Sequence, residues 1–255
     1  MFVDSDDFLV YKNVLSILVN LVKEKRPVVL RSDSFQIIPP NVSYYEWINE
    51  VSCINQIDPI SYTTIDYLSY RMSGRFSCSA CATLYKRTFL IENGLYFREN
   101  VQYEDTDWTQ KVLYYAENIE LTDWIYYGYR QTPDSITRGF SEESFQGAIK
   151  AAVETKRFYE SIEITEKFRT FINEKIIDNT IGFLKSSRNY PVTISHRMLN
   201  KVNTYGLTSM KSLKMWKNVV MSMMKAIPLL CVVVVRLLVS IKRLINRNSY
   251  LNSKL

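Results

Sequence analysis

The chain has 255 residues, 47% of them hydrophobic and 13% aromatic, ample material for a core, and this excludes a wholly disordered protein. Seven Gly and seven Pro exclude long low-complexity linkers. The net charge of +6 hides an asymmetry: all 26 Asp and Glu lie at or before Asp178, while residues 179–255 hold 13 Lys and Arg and no acid. An acidic body with a basic tail points to an anionic partner for the tail.

In chain order, Phe2-Val3 reads as the end of a buried strand that runs into three carboxylates, Asp4, Asp6 and Asp7. Those acids interrupt any apolar run a signal peptide needs, so the cytosol is the expected compartment. Val10, Val14, Ile17, Leu18, Leu21 and Val22 recur at helical spacing and predict an amphipathic helix over 10–24, broken by Arg26-Pro27. Val28-Val29-Leu30 and Phe35–Ile38 read as short strands, Pro39-Pro40-Asn41 as a loop, and 44–71 as short helices. A strand within 76–85, a short helix over Lys86–Glu92 and a turn or helix C-cap at Asn93-Gly94 follow. Glu104 to Asn118 is helical by pattern, with Trp108, Val112, Leu113 and Tyr115 as a buried stripe and acids in the first turn. Ile119–Tyr129 reads as one strand, Pro133-Asp134-Ser135 as a turn, and Ser141 to about Lys185 as two helices with Ser141 as N-cap.

Four Cys (Cys53, Cys78, Cys81, Cys231) give no disulfide framework in a chain this long. Cys78-Ser-Ala-Cys81 has C-x-x-C spacing, but no second pair or nearby His completes a zinc site, so these read as small buried thiols. His196 stands alone in the basic tail and reads as a surface or packing residue.

Three clusters can carry chemistry. Asp4-Ser5-Asp6-Asp7 after a strand is either a solvated loop or N-cap, or a carboxylate grip for a divalent cation on a diphosphate, which would leave as a neutralised group. Glu104-Asp105-Thr106-Asp107 is either a helix-dipole complement or the source of a general base for an incoming hydroxyl. Arg130 closes a strand before the turn that carries Ser135, and suits phosphate oxygens or a brace for Glu104 and Asp105.

Together and in this order, the clusters resemble the family 2 glycosyltransferases, the bacterial group that builds capsular and other surface polysaccharides. Met1–Leu9 is similar to that family's DXD strand end, written FLDSDD. Leu84–Phe97 resembles its LYRRSFLxENGLRF segment, Tyr103–Asp107 its YEDTDF motif, and Tyr127–Ile136 its YYYRQxxxSI segment. The resemblance covers residues 1 to about 140. It implies an α/β fold of GT-A type, a mixed sheet flanked by helices, followed by a mainly helical C-terminal region. Asp6 would be the principal metal ligand for Mn²⁺ or Mg²⁺, with Asp4 contacting the cation or the donor ribose. Asp105, or else Glu104, would be the base, and Arg130 and Ser135 would contact the donor. The reaction implied is an inverting sugar transfer from a nucleotide-diphosphate sugar to a glycan or lipid-linked acceptor. Members of the family carry a nucleotide-binding segment ahead of the DXD strand that this chain lacks, so the domain is expected to be truncated, running over 1–140, and its donor binding impaired. The alternative is a non-catalytic remnant that docks or interacts.

A helical extension is expected over 141–190 and a basic tail over 191–255. Ala226–Val235 is ten uncharged residues, interrupted by Arg236, too short for a bilayer span of about 20. With Lys225, Arg236, Lys242, Arg243 and Arg247 around it, a helix over about 227–247 suits the interface of an anionic membrane. The expected location is peripheral, on the inner face of the cell membrane. The tail has few aromatics and matches no nucleic-acid module, so no nucleic-acid partner is expected.

Overall fold

The computed structural model describes residues 1–51, 62–64, 66–74, 77–132, 141–186 and 190–238. They fall into two compact units, Met1–Gly139 and Phe140–Leu255.

The first unit is mixed α/β, with the order β1 (Phe8–Leu9), α1 (Val14–Lys25), β2 (Val29–Arg31), β3 (Gln36–Ile38), α2 (Tyr44–Val51), β4 (Tyr62–Thr64), α3 (Tyr67–Met72), β5 (Thr83–Tyr85), α4 (Arg87–Glu92), α5 (Glu104–Tyr115), β6 (Ile119–Thr122) and β7 (Tyr127–Arg130). Its strands form two small mixed sheets, ordered β1-β7-β3 and β4-β6-β2-β5. In the first, β7 runs antiparallel to β1 and parallel to β3. In the second, β2 runs parallel to β6 and antiparallel to β5. Helix α1 forms where the periodicity predicts it, because Val14 and Leu18 turn inward onto Leu30, Ala82, Tyr126 and Tyr127. It stops at Arg26, which takes a left-handed conformation (φ 51°) and donates its N–H to Val22 O ahead of Pro27, which cannot continue the helix. Gly128 has a packing reason: a Cβ there would lie 3.0 Å from Val10 Cγ1 and 3.2 Å from Phe8 O. Its bare backbone lets β7 fit between β1 and β3.

Four expectations need correction. Residues 44–71 are not helical throughout, since β4 lies among them and pairs with β6. Met1, Phe2 and Val3 do not end a buried strand. Phe2 makes a single parallel bridge to Cys81, and the three side chains stay 37–45% exposed. Ile119–Tyr129 is not one strand. β6 and β7 belong to different sheets, separated where Trp124 N–H bonds to Thr122 Oγ1 in a side-chain turn. Helix α5 stops at Tyr115 rather than Asn118, because Ala116 is already extended (ψ 118°).

The second unit is helical: α6 (Glu142–Glu160), α7 (Glu166–Ser186), α8 (Val192–Thr204), a 3-10 turn at Leu207–Ser209 and α9 (Met215–Ala226), with a further helical stretch over 228–238. Ser141 caps α6 as expected, its hydroxyl accepting from Ser144 N–H. Ile177, Ile181, Leu184, Leu199, Met221, Met224, Cys231 and Val232 form the core. Lys217, buried, is held by Glu174 at 2.8 Å and Asp178 at 2.6 Å, which ties α9 to α7. The interface helix expected over about 227–247 is helical over 228–238, and the remainder lies outside the described residues. No described helix is long and apolar enough to cross a membrane. Cys78, Cys81 and Cys231 are free thiols, the last two buried, and Cys53 lies outside the described residues.

Candidate active site

The first wall of the site is the turn after Val3. Asp7 N–H donates to Asp4 C=O at 3.1 Å, a four-residue turn that places Ser5 and Asp6 at its tip. Tyr127 fixes the turn from below, its hydroxyl accepting from Asp4 N–H at 3.0 Å. Asp7 is committed to the fold, since its Oδ1 accepts from Arg130 N–H at 2.8 Å. Burial pushes its carboxyl up, against the pull of that N–H. Among the described residues Asp6 accepts a hydrogen bond from the Thr132 hydroxyl alone, at 3.4 Å. The acids in this run therefore divide. Asp7 anchors β7, and Asp4 and Asp6 are left to the cleft.

The second wall is the start of α5. Tyr103, its N-cap, sits in the left-handed region at φ 61°, uncommon for a non-glycine residue and a form of strain that collects at functional sites. Trp108 anchors the helix. Its Nε1 donates to Leu95 O at 3.1 Å, and its ring packs on Phe97 (4.3 Å between centroids), Tyr85 (5.1 Å) and Phe2 (5.6 Å). Phe2 lies two residues before Asp4 and Trp108 three after Asp105, so this aromatic cluster joins the two carboxylate-bearing segments. Asp107, 2% exposed, is neutralised by Arg98 at 2.6 Å and Lys111 at 3.1 Å. Asp105 has no such cation among the described residues. Burial first, and then the Glu104 charge, push its carboxyl up to about 6, while the Ala80 N–H it accepts works the other way.

Both segments line one cleft of about 960 Å³, to which Asp4, Asp6, Glu104, Asp105, Ala80 and Cys81 all contribute. A neighbouring pocket of about 650 Å³ shares Asp6 and Thr132 and adds Asp7, Phe8, Tyr44 and Arg130. Four of the sequence-predicted residues, Asp4, Asp6, Glu104 and Asp105, thus meet in one cavity. Arg130 faces the adjacent pocket and does not brace Glu104 or Asp105. Its guanidinium lies 5.5 Å over the Phe8 ring, and its buried Nε has no hydrogen-bond partner among the described residues. Ser135 lies outside the described residues. The sequence placed Tyr127 in the YYYRQxxxSI-like segment without a role and passed over Tyr44, which nothing separates from the other tyrosines until the fold brings it to the neighbouring pocket.

Among the described residues no group of three or more His, Cys, Asp or Glu gathers as a metal site. The Asp4 and Asp6 pair nonetheless fits a hard divalent cation, because Mg²⁺ is commonly held by one or two carboxylates with substrate phosphates completing its shell.

The α/β unit and the helical region after it share their fold with solved structures. The chain is similar to Staphylococcus aureus TarS residues 1–349 with UDP-GlcNAc, at TM-score 0.58 and 16% identity over 92% of this chain and 66% of that one. It is also similar to the same protein with UDP, at TM-score 0.55 and 17% identity over 92% and 64%, and to a longer TarS, at 0.54 and 17% over 92% and 39%. The chain thus spans about two thirds or less of these neighbours, and at this identity the likeness is one of fold. No protein-family model matches the sequence, and a search of curated proteins finds no match.

Proposed function

We propose that the chain belongs to a family 2 glycosyltransferase that moves a sugar from a nucleotide-diphosphate sugar to an acceptor hydroxyl, with inversion at the anomeric carbon. The observation that carries this reading is the one cleft that Asp4, Asp6, Glu104 and Asp105 line together. The acceptor oxygen attacks the anomeric carbon, its proton passes to Asp105, and the bond from that carbon to the diphosphate oxygen breaks on the opposite face. A carboxyl raised to about 6 is a stronger base than an ordinary aspartate and still ionised at neutral pH. Glu104, on the same wall, is the second candidate for that role. Asp6, seconded by Asp4, would hold a Mn²⁺ or Mg²⁺ ion, which when bound neutralises charge on the diphosphate. Arg130, in the pocket that shares Asp6, has the fork geometry for phosphate oxygens, and Ser135 would add a donor-side contact. The UDP-GlcNAc and UDP held by TarS support a nucleotide-sugar donor.

The acceptor in this reading is a glycan or a lipid-linked saccharide, and the chain works peripherally on the cytoplasmic face of the cell membrane. Support comes from the acid-free, basic composition after Asp178 and from the surface of the helical unit, where Leu213 (81%), Met215 (83%), Trp216, Leu237 and Leu238 stand exposed. Apolar side chains interleaved with Lys and Arg suit an anionic lipid interface.

The test is release of nucleoside diphosphate from a panel of nucleotide sugars with glycan and lipid-linked acceptors, using the chain together with any segment encoded ahead of Met1. Acceptor-dependent release that collapses in Asp105→Asn supports the reading. No release from any donor, or release indifferent to that substitution, overturns it.

A further inference from the structure

The cleft wall between the two carboxylate pairs is a short segment, Ser77 to Ala82, that reaches the site from beneath. Its carbonyls are claimed one after another by groups behind the cleft, and the principal claimant is a buried arginine. Arg31 ends β2 with no exposed surface at all. Its Nη2 donates to Ser77 O at 2.7 Å and its Nη1 to Ser79 O at 3.1 Å. Nη1 also reaches Thr83 Oγ1 at 3.3 Å, and that hydroxyl donates to Cys81 O. The guanidinium is fixed in turn: Nε donates to Asp33 Oδ1 at 2.7 Å and to the Tyr70 hydroxyl at 3.0 Å, and the Tyr70 hydroxyl donates to Asp33 Oδ2. A Ser77 N–H closes the ring onto Asp33. Tyr85 holds Ala80 O at 3.1 Å, and Tyr126 holds Ala82 O at 2.5 Å.

Burying an arginine is costly, and only a matched carboxylate and a full set of acceptors offset the lost hydration. Arg31 has both, and its fork is spent on the backbone of one loop. Ala80 and Asp105 line the same cleft, and the Ala80 N–H acts on the Asp105 carboxylate, favouring its charged form.

We propose that Arg31, braced by Asp33 and Tyr70, is a positioning residue for Asp105: it fixes the Ser77–Ala80 backbone so that the Ala80 N–H holds the carboxylate toward the cleft. The inference rests on the reading of Asp105 as the base. Lysine at position 31 would keep the charge but supply a point donor in place of the planar fork, so the two carbonyls could not both be held in the same geometry. Misplacing a catalytic group by about 1 Å is enough to cost on the order of a hundredfold in rate.

The experiment compares wild type, Arg31→Lys and Tyr70→Phe in two readouts, with Asp105→Ala as the reference for a lost acceptor. The first is the Ala80 amide, followed by NMR chemical shift and hydrogen exchange. In Arg31→Lys it should move toward its position in Asp105→Ala and lose protection, while the Leu30 and Leu84 amides of the β2–β5 ladder keep theirs. Tyr70→Phe should shift it in the same direction by less, and this milder variant carries the test if Arg31→Lys fails to fold. The second readout is the transfer reaction, where kcat should fall by roughly tenfold to a hundredfold with donor KM nearly unchanged. A folded variant whose Ala80 amide is unmoved overturns the proposal. The amide readout needs no turnover, so a displaced Ala80 signal in a chain that transfers no sugar refutes the proposed function and leaves the tether standing.

Discussion

The two units handle charge in opposite ways. In Phe140–Leu255 the buried charge, Lys217, is matched by two carboxylates, and the surface left over is apolar and basic. In Met1–Gly139 the acids of one helical turn divide. Asp107 is closed off by Arg98 and Lys111, whereas Asp105, two residues earlier, is desolvated beside the like charge of Glu104 and has no cation among the described residues. A carboxylate neutralised on both oxygens holds structure together. One buried without a counter-charge stores the free energy that makes it a better base. The unit with a buried, imperfectly paired acid is where chemistry is expected, and the unit whose buried charge is matched and whose surface is basic is where docking is expected.

The comparison can be broken most severely at Asp105. Asn there should lower transfer by about 10²–10⁴-fold with the far-ultraviolet circular dichroism unchanged. A change below about tenfold would strip Asp105 of its role. Next comes Asp107→Ala, which leaves Arg98 and Lys111 without their shared acid. Because both cations are part-exposed, the cost should sit near the low end for a broken buried pair, about 3 kcal/mol, read from the urea midpoint. A loss confined to activity would put Asp107 in the site rather than the scaffold.

A smaller effect sharpens the contrast through pH. The Asp105 carboxyl is raised in the folded state, so the folded chain holds this proton more tightly than the unfolded one. The stability it contributes is fully present below about pH 4, the unfolded value, and is lost as pH rises through about 6. Asp105→Asn should therefore gain in melting temperature relative to wild type between about pH 4.5 and pH 7, and a constant difference across that range would contradict the assigned burial. The smallest effect belongs to the helical unit. Trp216→Asp, or a Glu replacing a surface Lys such as Lys225, should each weaken sedimentation with anionic vesicles by about 1 kcal/mol and leave neutral vesicles unaffected.

Much of this was legible in the chain itself. Helix α1 follows from the spacing of Val14 and Leu18, and the capping of α6 from Ser141. The two acid clusters could be read as partners through their resemblance to known motifs. What brings them together could not, because it is done by contacts remote in sequence: Phe2 on Trp108, and the Tyr127 hydroxyl under Asp4. Arg31 left a faint trace, a charge closing the apolar run Val28–Leu30 with Asp33 two residues on, but periodicity cannot say that such a residue turns inward. The β6–β7 break left only a faint mark, Thr122-Asp123, inside a segment otherwise rich in Ile, Leu, Trp and Tyr, so the strand-favouring residues on both sides outweighed it. Pairing both strands to different partners is decided by tertiary contacts.

The pH dependence of kcat/KM for sugar transfer tests the central claim most directly, since it reports the ionisation of the free base. A rate that falls away below about pH 6, with a limb that Asp105→Asn removes along with most of the rate, is the outcome the shared cleft predicts. A profile flat down to about pH 4.5, or a limb retained in that variant, would contradict it.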